Sequence, residues 1–187
     1  MRSFQDATVL VTGASSGIGE AFVRNLAGRG ANLILVARSA DKLEQLAQTL
    51  SQQHNVRIDC FPLDLTVADS PETLFEQVNA VNLSVDVLVN NAGIQHVAPI
   101  EKFPIPKWED VIAVNLTAHF HTIAAVIEGM RSRGFGRIIN ISSVHGLVAS
   151  ANKSAYVSAK HGVVGLTKTI ALERSEEHTS QLQSLVN

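Results

Sequence analysis

Ala7-Thr8-Val9-Leu10-Val11-Thr12-Gly13-Ala14-Ser15-Ser16-Gly17-Ile18-Gly19 is the stretch on which the fold turns. Ala7 to Thr12 reads as a buried strand, and Gly17 to Arg29 as a helix ended by Gly30. Between them the glycines are spaced Gly-x3-Gly-x-Gly, with Thr12 before the first. Glycines in a strand-to-helix turn let the backbone approach a pyrophosphate. The helix N-terminus adds free N–H groups and the positive end of its dipole. Gly13, Ser15, Ser16, Gly17, Ile18 and Gly19 are therefore candidate cofactor-binding residues.

Working outward, strand and helix patterns alternate. Strands are expected at 32–37, 56–62, 85–89 and 136–141. Helices are expected at 40–54, 70–82, 106–133 and 154–173. Pro106 suits a first helical turn, and Pro62 a strand end. Strands apolar on both faces and joined by helices imply a parallel sheet. Right-handed crossovers then give a doubly wound α/β fold, Rossmann-like, with three α/β/α layers.

The 187 residues suffice for one domain with a sizeable core. A net charge of −2 without a basic run points away from nucleic acid and anionic membranes. The apolar runs have strand length, short of the ~20 residues of a membrane helix. No signal peptide is visible in the polar N-terminus, and a cytoplasmic location is expected. The single cysteine, Cys60, can form no internal disulfide and reads as a small buried residue. His119 and His121 are two apart and point to different helix faces, so no metal site is expected.

Near the end of the second strand, an acid would hold the ribose hydroxyls of NAD and an arginine the 2′-phosphate of NADP. The chain has Ala37-Arg38-Ser39 there, so Arg38 favours NADP. Asp64, past the third strand, is either a contact to the adenine amino group or a turn former. Downstream, Tyr156 and Lys160 lie four apart on one helix and face the same way. An ammonium beside a phenol favours the phenolate and equips the pair for proton transfer. Ser143 follows the fifth strand, at the end of the sheet where this fold binds ligands.

Taken together, Thr12-Gly13-x3-Gly17-x-Gly19, Asn90-Asn91-Ala92-Gly93, Asn115, Ser143 and Tyr156-x3-Lys160 resemble the short-chain dehydrogenase/reductase family. The resemblance covers Ala7 to about Glu173. It implies that Tyr156 is the general acid/base, that Lys160 tunes it and holds the nicotinamide ribose, and that Ser143 orients the substrate oxygen. It further implies that Asn115 holds a relay water and that Asn91, Ala92 and Gly93 line the cofactor. A homotetramer or homodimer packed through the helices at 106–133 and 154–173 is also implied.

A narrower likeness starts at Asn90. Asn90 to His96, Phe135 to Ile141 and His145 to Tyr156 resemble the bacterial 3-hydroxybutyrate dehydrogenases. That resemblance implies that Gln95, His145 and Lys153 hold a substrate carboxylate beside Ser143 and Tyr156, with NAD as cofactor. The earlier half, with Arg38, is similar to NADP-preferring members. Two origins fit: a variant with exchanged cofactor preference, or two parents joined at the shared Asn90–Gly93 motif.

The family continues past the Tyr–Lys helix with two more strands and a last helix. Residues 1–173 are accordingly expected to be an incomplete NAD(P)-binding domain, truncated after its sixth major helix. Residues 174–187 are expected to be a non-native or disordered tail without a strand. Arg174 to Ser184 resembles a translated sequencing-library adapter. Strand five would then be an exposed edge, and the polypeptide poorly soluble and nearly inactive.

Overall fold

The computed structural model describes residues 4–175 and 181–185. Six parallel strands form one sheet in the order β3-β2-β1-β4-β5-β6. They are β1 (Thr8–Thr12), β2 (Asn32–Ala37), β3 (Ile58–Pro62), β4 (Val87–Asn90), β5 (Arg137–Ile141) and β6 (Gln181–Leu185). The helices are α1 (Gly17–Ala27), α2 (Ala40–His54), α3 (Ser70–Ala80), α4 (Ile105–Ile112), α5 (Ala118–Ser132) and α6 (Ser154–Ser175). The reversal of strand order between β1 and β4 makes the sheet doubly wound and opens a crevice at its carboxyl end.

Side-chain alternation along each strand builds the two outer layers. Val9, Val11, Leu33 and Leu35 pack on one face with Val23 of α1 and with Leu43, Leu46 and Leu50 of α2. Leu10, Ile34, Leu88 and Ile138 pack on the other face with Leu74 of α3 and with Ile123, Val126 and Met130 of α5. These apolar strands are covered on both sides, as a parallel sheet requires.

Two expectations are corrected. The helix expected at 106–133 is α4 and α5 joined by a π-helical turn, Ala113–Thr117. As one rod, Ile105–Ser132 is long and apolar enough by composition to cross a membrane, which exceeds the strand-length runs expected. Its buried face nevertheless belongs to the sheet's core.

The second correction concerns the end of the chain. α6 runs to Ser175, and β6 pairs in parallel with β5 from Arg137↔Gln181 to Ile141↔Leu185. Strand five is thus paired on both sides. Strand pairing uses backbone N–H and C=O groups, so an open edge can take up a segment that shows no apolar periodicity.

Candidate active site

The end of β1, where the glycine turn starts, and the loop after β4 are stitched together. Thr12 Oγ1 accepts from the Asn91 and Ala92 amides, both at 3.0 Å. Asn91 Nδ2 donates back to Thr12 O at 3.0 Å and to Gly13 O at 3.3 Å. The Asn91 side chain therefore holds the glycine turn, and its residue still lines the crevice. Gly13 has φ +67 and Gly17 φ +56, the left-handed region where a side chain is strained. A Cβ on Gly19 would collide with Gly13 O, so helix and turn meet there at backbone contact.

The crevice is a cleft of about 410 Å³. Gly13, Ser15, Ser16, Ile18, Arg38, Asp64, Asn91, Ala92 and Gly93, all expected from sequence, line it. Gly17 and Gly19 instead shape the turn behind it. Asp64 is the only acid among the lining residues, and its Oδ1 accepts from the Thr66 amide and hydroxyl, both at 3.0 Å. Asp64 thus forms the turn and also lines the cleft. Lys42 lines the cleft beside Arg38 and Ser39, and sequence reading missed it. A cation two residues into the helix that follows Arg38-Ser39 was the available signal.

A dinucleotide fits these residues. The pyrophosphate end has the α1 N-terminus beside Gly13, Ser15 and Ser16 of the turn. The far end has two cations and hydroxyls, suited to a phosphate.

The reacting groups gather where β4 and β5 end and α6 begins. Asn115, at the centre of the π turn, is fully buried, with Oδ1 accepting from Ile94 N and Nδ2 donating to Ile94 O, each at 2.8 Å. Its side chain clamps the loop after Gly93 through one donor and one acceptor position. A Cβ on Gly93 would lie 3.4 Å from Asn115 Oδ1 and 3.9 Å from Lys160 Nζ, which joins the cleft to the lysine.

Lys160 is 3% exposed; its Nζ donates to Ile141 O at 2.7 Å and lies 5.7 Å from the Tyr156 ring centroid. Burial pushes its pKa down from 10.5 to about 8. His119, one turn past Asn115, is buried with no hydrogen-bond partner on Nε2. Burial, and secondarily the Lys160 charge, push its pKa down to about 3. Sequence reading weighed His119 only as a metal ligand. Among the described residues no cluster could hold a metal ion.

Ser143 caps a short 3₁₀ turn, Val144–Gly146, its Oγ accepting from His145 N at 3.2 Å. The His145 ring stands edge-on to Tyr156 at 6.2 Å, and His145 Nε2 lies 3.5 Å from Lys153 Nζ. The structure thus brings His145, Lys153, Tyr156 and Lys160 together beside Ser143. Gln95 is exposed on the loop after β4, which is tied to the Lys153 loop through Ala98 N and Asn152 O at 2.9 Å.

Residues 7–180 match the family model for short chain dehydrogenase. The chain belongs to this family. Within the short-chain dehydrogenases it is 46% identical over 169 residues to a D-beta-hydroxybutyrate dehydrogenase of Cupriavidus necator, covering 90% of this chain and 65% of that one. A protein of the same name from Rhizobium meliloti is 46% identical over 170 residues, covering 90% and 66%. A metagenomic short-chain oxidoreductase solved in complex with NADP superposes with a TM-score of 0.91 at 32% identity, covering 98% and 83%. The chain spans just under two thirds of the length of the curated relatives it matches.

Proposed function

We propose that this chain is the larger part of an NAD(P)-dependent oxidoreductase that interconverts a short 3-hydroxy acid and its 3-oxo acid, most directly 3-hydroxybutyrate and acetoacetate. The observation that carries this reading is the Lys153–His145 pair at 3.5 Å beside Tyr156. In this contact the Lys153 ammonium donates to His145 Nε2 and keeps its other N–H groups for a substrate carboxylate, with Gln95 as a further donor. The names of the relatives support the same substrate class.

The nicotinamide supplies or accepts the hydride. Tyr156 moves the proton to or from the substrate oxygen, which Ser143 orients. Lys160 holds the nicotinamide ribose and keeps a positive charge under the phenol. Asn115 fixes the loop at Gly93 and would carry the relay water. Arg38, Lys42 and the absence of an acid at the end of β2 favour NADP over NAD. A cytoplasmic setting goes with a dinucleotide-using enzyme. Assembly as a homodimer or homotetramer through α5 and α6 would cover Phe120, 53% exposed, and Leu172, 73% exposed.

The test is NADPH and NADH binding by fluorescence, followed by initial rates with acetoacetate and a panel of neutral ketones. Lys153→Met is expected to raise KM for acetoacetate about tenfold and leave neutral ketones unchanged. Tyr156→Phe is expected to abolish turnover with cofactor binding retained. Equal effects of Lys153→Met on charged and neutral substrates would refute the carboxylate site. They would favour a reductase of another carbonyl compound, which the Arg38 end of the cleft also suits. Cofactor binding with no turnover on any substrate would mark the chain as an inactive product.

A further inference from the structure

A continuous line of side-chain hydrogen bonds runs from α5 to α6 through the ends of β4 and β5. Thr122 Oγ1 donates to Asn90 Oδ1 at 2.8 Å, and Asn90 Nδ2 to Asn140 Oδ1 at 3.0 Å. Asn140 Nδ2 donates to Thr167 Oγ1 at 2.9 Å, and Thr167 Oγ1 to Val163 O at 2.7 Å. None of the four side chains is more than 5% exposed. Thr122 Oγ1 also lies 2.9 Å from Ala118 O and 3.1 Å from His119 O, so α5 backbone carbonyls share its one proton with Asn90. A buried polar chain that is satisfied end to end specifies a single arrangement of the elements it joins.

What it joins is the reacting site. Three consecutive residues at the end of β5 each grip α6. Asn140 holds Thr167, Ile141 O takes the Lys160 ammonium at 2.7 Å, and Ser142 Oγ donates to Lys160 O at 3.3 Å. Ser143 comes next. Thr167 lies two helical turns beyond Lys160, on the same face of α6. A slide of α6 along β5 would move Tyr156 and Lys160 together relative to Ser143. The Asn140–Thr167 bond is the grip furthest from the reacting groups and the one made wholly between side chains.

We propose that Asn140 and Thr167 are positioning residues that fix the register of α6 on β5 and so hold Lys160 between Ile141 O and the Tyr156 ring. This rests on the reading of Lys160 as part of the reacting site. Lys160 is faced by Tyr156 from its own helix, by His119 from α5 and by the uncharged loop at Gly93. Its dry surroundings keep its pKa at about 8, and water admitted by a loosened α6 would let that value climb toward 10.5.

The experiment is an NMR pH titration of the lysine-labelled full chain, with the Lys160 signal assigned by Lys160→Met. Thr167→Val keeps the volume and removes the hydroxyl. The Lys160 midpoint is expected to climb by about one pH unit in Thr167→Val and to return in Thr167→Ser. Thr122→Val cuts the far end of the line and is expected to lower Tm while leaving Lys160 in place. If Thr167→Val does not fold, Asn140→Ser, too short to reach Thr167, is expected to show the same climb. Lys160 unmoved in a folded Thr167→Val or Asn140→Ser would overturn the proposal. A wild-type Lys160 that titrates at 10.5 would overturn the buried site itself, and with it both readings.

Discussion

Lys160→Met separates what the lysine costs the fold from what it does in the site. The unfolded chain holds the Lys160 proton up to pH 10.5, whereas the folded chain releases it at about 8. Between those values the unfolded state carries more protons, so wild-type stability rises with pH across that window. At about 1.4 kcal/mol per pH unit, the fall from 10.5 to about 8 corresponds to about 3 kcal/mol spent below pH 8 on keeping a buried ammonium. Methionine has no such cost but leaves Ile141 O without its donor, a loss of about 1 kcal/mol at any pH. The variant is therefore expected to be more stable than wild type by about 2 kcal/mol at pH 7 and to lose that lead by pH 10.5. Urea unfolding of both proteins at pH 7, 9 and 10.5 measures the difference, in which the titrations of groups not coupled to Lys160 cancel. A difference that stays flat over this range would refute the buried, desolvated ammonium.

A second prediction, for His119, runs on the acid side. His119 is held at about 3 against an ordinary 6.5, so the stability present above pH 6.5 is lost as pH falls through that window. His119→Phe is expected to flatten the acid limb of a circular dichroism titration, and an unaltered limb would contradict the burial argument. Gly19→Ala places a Cβ against Gly13 O and within 2.6 Å of Asn91 Nδ2. It is expected to lower Tm by about 5 °C and to weaken dinucleotide binding, read by thermal melts and NADPH fluorescence.

Much of this was legible before any coordinates. α2 falls at 40–54 as its apolar spacing predicts, and the glycine turn sits where β1 meets α1. The cofactor cleft could be assembled from motifs because its contacts are made by backbone geometry, which glycines announce. The break between α4 and α5 could not be read, since a π turn has the same apolar periodicity on either side and no residue signature. That break carries Asn115, so its side-chain clamp on Ile94 was hidden too. The β6 pairing was invisible for a different reason, because it is made by backbone groups that every sequence possesses. Lys42 and His119 escaped because each is ordinary in its local segment and acquires meaning only from what lies across the fold.

The π turn also decides which genetic changes the helix can survive. Ala113–Thr117 accommodates one residue more than a regular α-helical path would. Deleting a single residue there would let α4 and α5 fuse into one unbroken helix. Because the π turn absorbs that extra residue, its loss would leave His119, Thr122, Ile123 and Val126 facing the sheet. What would go is the widened turn that sets Asn115 against Ile94. Point substitutions on the outer surface are cheap by comparison. The segment is thus guarded by its length more strictly than by its letters, and lineages that keep the site should show no gaps between Ile112 and Ala118.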